Sequence, residues 1–248
     1  MRLYFHPFSS NSRRAAMTVL HLGLPVEFVT IELVKGEQRR PEFLHMNPNG
    51  TVPVLEDKGF YLSESHAIMQ YLAVKAAADG ARQVGARESQ DVAAAVAVAK
   101  SASIAASVYP GDLRGRADID RWMFWNAQHF QPAVGIFVWE NLVKGMIGQG
   151  PADPAHIKEG EQKLERYATV LDAHLADRRW VSGANLTLAD LAIAATLSAA
   201  TPANAPLQPY RNMKSWFDSV QALDAWKRTA FDFQGRTLRE VTGAAEAA

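Results

Sequence analysis

Three short stretches of this 248-residue chain carry side chains suited to holding an anion or a small zwitterion. Ser9-Ser10-Asn11-Ser12-Arg13 stands where a strand pattern gives way to a helical one. The unpaired N–H groups and the dipole at a helix start favour an anion, and hydroxyls there can donate to it. The same serines also suit plain helix caps, where Ser is strongly preferred. As a nucleophile, either serine needs a base, and His6 is the nearby candidate; no Gly-x-Ser-x-Gly elbow occurs anywhere in the chain. Asn47 to Leu55 sets Pro53 at the head of a strand, where its missing N–H does no harm. A cis Val52–Pro53 bond, uncommon for such bonds, would turn the Val52 backbone outward to pair with an extended peptide. Ser63-Glu64-Ser65-His66 opens another helix, so the Ser65 N–H and hydroxyl could hold a carboxylate while Glu64 meets an ammonium group. A serine cap with an acidic first turn accounts for the same residues.

Composition narrows the chemistry further. Lys plus Arg number 26 and Asp plus Glu 26, so the net charge is zero and there is no electrostatic footprint for nucleic acid or an anionic membrane. The chain has no cysteine, which excludes disulfides, thiolate metal sites and any nucleophilic sulfur supplied by the protein itself. His6, His21, His45, His66, His129, His156 and His174 show no metal-ligand spacing, and no metal is expected. Met1 to Phe5 alternates like a strand and lacks the apolar core of a signal peptide. The longest charge-free stretch, Leu191 to Tyr210, is interrupted by Pro202, Pro206 and Pro209. These features point to a cytoplasmic globular protein without a membrane or nucleic-acid partner.

The elements that must position these residues are short strands and helices over the first 80 residues. Leu3 to Phe5 and Phe28 to Leu33 alternate as strands, with helical spacing between them (Ala16 with Leu20; Ala15 with Val19 and Leu22) that Gly23 and Pro25 stop. A helical piece around Glu37 to His45 leads to a hairpin, Val52–Leu55 and Phe60–Leu62, and then to a helix carrying Ile68, Tyr71, Leu72 and Ala76. The order β-α-β-α-β-β-α is an α/β layer on one small sheet. Beyond it the pattern is helical throughout. Residues 81–107 are rich in Ala and Val, with charge at Arg82, Arg87, Glu88, Asp91 and Lys100, and predict a helix with no obvious docking face. A long helix carries Trp122, Trp125, His129 and Phe130, bends near Pro132 and runs to about Gly145; another spans roughly Ala155 to Ala176. Leu186 to Leu191 reads as a capping box with a hydrophobic staple, Thr187 at the cap and Asp190 three positions on. The last residues, Gly243 to Ala248, read as frayed.

Taken in this order, the three motifs followed by a helical half with Leu186 to Asp190 resemble the cytosolic glutathione transferase family over most of the chain. The resemblance implies a thioredoxin-like glutathione-binding domain over residues 1–80, an inserted or extended helical linker over 81–107, and an all-α co-substrate domain over 108–248. It implies a transferase, with glutathione as co-substrate and a small hydrophobic electrophile as partner, working as a homodimer. The serine-type classes (theta, delta and zeta) place the catalytic serine four residues before the arginine, hence on Ser9, with Ser10 able to share the role. Val52, before Pro53, falls where the family pairs with the glutathione cysteine, and Glu64 with Ser65 where it binds the γ-glutamyl end. Thr187 and Asp190 match the family's helix cap, a folding element. Delta-type members carry histidines at the positions of Gln38 and Gly50 and an arginine at that of His66; here Gln38, Arg39, Arg40, Lys35 or His66 would complete the glutathione site. Phe8, Trp122, Trp125 and His129 are co-substrate pocket candidates by family position, although aromatic residues on one helix more often form core. Two other functions use the same fold: a glutathione-dependent isomerase or dehalogenase, and a non-catalytic binding module.

Overall fold

A computed structural model describes residues 1–85 and 92–231 of the chain. Its elements are β1 (Arg2–Phe5), α1 (Ser10–Leu22), β2 (Glu27–Thr30), two 3-10 turns (Leu33–Lys35 and Glu37–Arg39), α2 (Pro41–Met46), β3 (Val54–Asp57), β4 (Phe60–Leu62) and α3 (Ser65–Gly85). There follow α4 (Val92–Val108), α5 (Leu113–Trp125), α6 (Gln131–Val138), α7 (Lys144–Met146), α8 (Pro154–His174), α9 (Leu188–Thr196), α10 (Arg211–Gln221) and α11 (Asp224–Arg228). The described residues divide into two compact units, one holding the chain up to Gly111 together with Leu223–Phe231, the other Asp112–Ala222. Arg87, Glu88, Asp91 and residues 243–248 lie outside the described residues.

The first unit is the α/β layer. Its sheet has the order β2-β1-β3-β4, with β1 parallel to β2 and the other pairs antiparallel. Leu3 pairs with Leu55 and Tyr4 with Val54 across β1 and β3. Alternation along β1 sends Leu3 and Phe5 to one face and Tyr4 to the other. Tyr4 packs there against the buried Ile31, Phe43, Val52 and Val54. The apolar stripes of α1 (Ala15, Ala16, Met17, Val19, Leu22) and α3 (Ile68, Met69, Leu72, Ala73, Ala76) are buried, and the two helices pack on each other. Gly23 ends α1 in the left-handed conformation, its N–H returning to the carbonyl of Leu20.

Residues 81–107 do not form one helix of undecided docking. α3 runs on to Gly85, and α4 packs back along it. The helices approach so closely that a Cβ on Gly80 would collide with that of Ala102, so the Ala102 methyl takes the place of a side chain at Gly80. The second unit is all helical, and its long helix is continuous but uneven. α5, α6 and α7 are joined by two π-turns, Asn126–Phe130 and Trp139–Val143, the first ending two residues before Pro132. In the first π-turn the buried Asn126 accepts from the Thr196 hydroxyl at 3.0 Å, tying it to α9. In the second, Glu140 accepts from Lys144 Nζ, the Asp153 N–H and His156 Nδ1 at 2.7 to 2.8 Å, and so fixes the start of α8.

The Thr187 capping box forms. Asp190, fully buried, accepts from the N–H of Thr187 and Val181 and from Trp216 Nε1, each at 2.8 Å, and from the Thr187 hydroxyl at 2.9 Å. One carboxylate therefore holds a loop, a helix start and an indole from α10. Asp190→Ala leaves these donors buried without an acceptor, and should lower stability by about 3 kcal/mol or more. Thr187→Ala should cost roughly 1 kcal/mol. Denaturant midpoints of the two variants measure the difference, and near-equal losses would contradict the shared role.

Candidate functional site

Ser9 is the N-cap of α1, in extended conformation, and its Oγ accepts the N–H of Ser12 at 3.2 Å. The Ser9 N–H is itself held by the His6 carbonyl at 3.0 Å, and Ser12 Oγ accepts from the His6 N–H at 3.2 Å. The backbone of residues 6 to 12 is thus cross-tied, which fixes the Ser9 hydroxyl at the helix mouth. Ser10 is the first residue of the helix and is half-buried. The His6 ring does not act on either serine. Its Nδ1 accepts the Phe8 N–H at 3.3 Å, and burial lowers its pKa. A serine–histidine nucleophile is accordingly not assembled. Phe8 packs edge-on against Phe231 with ring centroids 5.9 Å apart.

The Val52–Pro53 peptide is cis. Both residues are buried, and β3 pairs with β1 only from Val54 onward. Glu64 has a φ of 67°, unusual for a side chain with a Cβ, and its carbonyl accepts the first helical N–H of α3, that of Ile68, at 2.9 Å. This leaves Glu64 exposed and Ser65, at 5% exposure, as the first residue of the helix. Gln38 donates to the Leu33 carbonyl at 3.3 Å, while its Oε1 is buried without a hydrogen-bond partner. Arg39 is exposed, and Arg40 pairs with Glu37 at 3.4 Å on the surface.

The aromatic candidates of the second unit form a packed cluster. Trp122, 3% exposed, lies 5.1 Å from Trp125 and 4.5 Å from His174, ring to ring. Trp125 stacks on Phe130 at 5.5 Å, and the exposed His129 stacks on Tyr167 at 5.1 Å. Trp122 is therefore a core residue, whereas Trp125 and His129 keep accessible surface. Among the described residues no group of three or more His, Asp or Glu is placed to hold a metal ion.

Two adjacent arginines of α1 are buried, and the charge pattern gave no sign of either. Arg13, the arginine of the first motif, lies 3.6 Å over the Trp226 ring and donates to the Trp226 carbonyl at 3.0 Å and to Thr229 Oγ1 at 3.2 Å, pinning α11 to α1. Arg14, with no exposed surface, reaches the start of α3: its Nη1 lies 3.5 Å from Ser65 Oγ and 3.0 Å and 3.2 Å from the two ring nitrogens of His66. Burial pushes both guanidinium groups down to about 9, which leaves them charged at neutral pH.

Comparison with known proteins agrees with this geometry. Residues 1–74 match the family model "Glutathione S-transferase, N-terminal domain", and residues 154–219 match "Glutathione S-transferase, C-terminal domain". Glutathione S-transferase 3 of Zea mays is 30% identical over 233 residues, covering 92% of each chain. The chain belongs to the glutathione S-transferase family. Human glutathione S-transferase theta-2B is 28% identical, the match covering 96% of this transferase and 83% of the relative. The crystal structure of a delta-class glutathione transferase from Nilaparvata lugens superposes with a TM-score of 0.72 at 28% identity, covering 98% of each chain.

In the transferase, His66 is pushed down to about 3, first by burial and then by the adjacent Arg14 charge. Its ring should stay neutral from pH 8 to pH 5, as read by the NMR shift of its Cε1 proton. Because the unfolded ring titrates near 6.5, the unfolded state binds the extra proton below that pH. The contribution of neutral His66 to stability is complete above pH 6.5 and is lost progressively as pH falls from there toward 3. A ring titrating near 6.5 in the folded protein would contradict this environment.

Proposed function

We propose that this enzyme is a serine-type glutathione transferase in which the Ser9 hydroxyl and the open end of α1 hold the thiol of bound glutathione as a thiolate, ready to attack a small hydrophobic electrophile. The observation that carries this reading is the Ser9 cap. Its oxygen accepts the Ser12 N–H, so its one proton remains to be donated to sulfur. The energetics suffice. A thiol with pKa about 8.5 is only a few per cent ionised at pH 7, and lowering it by about 2 units takes about 2.7 kcal/mol. One hydrogen bond to a charged group supplies about 1.5 to 3 kcal/mol, and a helix N-terminus about 0.3 to 1 kcal/mol more. No general base and no metal is required; the sulfur belongs to the substrate, and the protein positions it.

On this reading the first unit binds glutathione. The backbone of Val52, ahead of Pro53, pairs with its cysteine, and the Ser65 N–H and hydroxyl take the γ-glutamyl carboxylate while Glu64 meets the ammonium group. Gln38, with its buried acceptor, and Arg39, with a free-standing exposed cation, serve the glycine end. In the second unit Trp125 and His129 are the residues offered to the electrophile, with Trp122 as the core against which Trp125 rests. The functional unit is a homodimer: the edge strand β4 leaves Phe60 at 51% exposure and α3 leaves Val74 at 43%, apolar surface for a second subunit to cover.

Ser9→Ala should reduce conjugation of a model electrophile by about 10-fold or more, raise the pKa of the bound thiol, and leave glutathione affinity within a few-fold. Ser9→Gly, which retains most of the capping stability, should lose activity equally. Activity that survives Ser9→Ala but not Ser10→Ala moves the role to Ser10. Products that no longer contain glutathione mark isomerisation or dehalogenation, and a wild type that fails to bind glutathione marks a binding module.

A further inference from the structure

The start of α3 is served by a charge from outside its own helix. Arg14 is the fifth residue of α1, yet its guanidinium lies beside Ser65, the first residue of α3. The positive ends of the two helices are therefore brought within one side chain's reach, each equivalent to roughly half a unit charge. A full positive charge, itself removed from water, lies beside the first residue of the second helix. Such a concentration of positive potential, next to the unpaired N–H groups of a helix start, favours a carboxylate.

Two further facts give Arg14 a specific part. A guanidinium has donors only. At Ser65 the hydroxyl oxygen is thus the acceptor for Arg14 Nη1, and the hydroxyl proton is left to point to something else. His66 has both ring nitrogens within 3.2 Å of the same Nη1 and can accept from it through only one of them, and only as the neutral imidazole, which brings no charge of its own. The cation and the orienting group are one residue, and it lies outside the motif that it serves.

We propose that Arg14 is the positioning residue and charge source of the γ-glutamyl carboxylate subsite. It holds Ser65 by the hydroxyl oxygen, so that the hydroxyl proton goes to the ligand, and it supplies the positive charge that His66 lacks. This rests on the reading of Ser65 as the glutathione carboxylate site. The contact with Ser65 makes Arg14 act on affinity for one end of the tripeptide and not on the thiol.

The test compares two ligands, glutathione and 4-aminobutyryl-cysteinyl-glycine, which lacks only the γ-glutamyl α-carboxylate, on wild type, Arg14→Met and Arg14→Lys. Wild type should bind glutathione about 10- to 100-fold more tightly than the analogue. Arg14→Met should raise the KM for glutathione by a similar factor, with kcat and the bound-thiol pKa little changed, and should no longer distinguish the ligands. Arg14→Lys, which keeps the charge, should recover part of the discrimination. If Arg14→Met does not fold by circular dichroism, Arg14→Gln carries the comparison. An uncharged variant that still discriminates as wild type does overturns the proposal while leaving the subsite intact, as does a lysine variant no better than the uncharged one. A wild type that binds both ligands equally, or binds neither, overturns the underlying subsite reading.

Discussion

A guanidinium taken out of water has to be resolvated by protein, and in this chain that demand ties the first turns of two helices together. Arg14 has no exposed surface, and it meets Ser65 and His66 rather than solvent. Burial of an ion is costly unless its donors find acceptors, and two of the residues that meet this one open α3. The apolar stripes of the two helices fix how they pack. The arginine fixes their axial register at the end that matters for chemistry.

Arg13 shows that the neighbouring position does different work by the same means. Successive residues on a helix point about 100° apart, so two adjacent arginines address two directions. Arg13 is resolvated by the Trp226 carbonyl, the Thr229 hydroxyl and the Trp226 ring, and so recruits a segment more than 200 positions away in the chain to the same helix. α1 is thereby held from both sides, against α3 and against α11. Its N-terminus, where Ser9 sits, is placed by contacts that none of the serines makes.

Much of this could be read from the sequence because it is local. The β-α-β-α-β-β-α order follows from changes of period, and the Thr187 box from a four-residue pattern, since each depends on neighbours in the chain. What escaped depends on distance. The burial of Arg14 is decided by what α3 brings against it, and nothing next to Arg14 in the chain marks that partner. The docking of α4 was hidden because a nearly uniform Ala and Val composition marks no face; Gly80 is the one residue that reports the contact, through the side chain it lacks. The π-turns are silent for another reason. Their residues keep helical backbone angles, as at Asn126 with φ −59° and ψ −50°, and an extra residue per turn leaves no mark in composition.

The serine motifs pose a choice between cap and catalyst, and the proposed mechanism needs both from the same residue. A capping serine spends a lone pair on a backbone N–H, whereas stabilising an anion spends the proton; one hydroxyl can do both. The cap also strengthens the second task, because the bond to Ser12 fixes the oxygen and restricts where the proton can point. Ser65 follows the same logic, its oxygen occupied by Arg14 instead of a backbone N–H. With no cysteine to supply a nucleophile, the proposed mechanism asks the protein for a set of oriented donors. Such a site is built from the groups that helices need at their starts in any case, which is why its residues taken singly look like ordinary caps. What sets the Ser65 start apart is the buried charge that α1 brings to it.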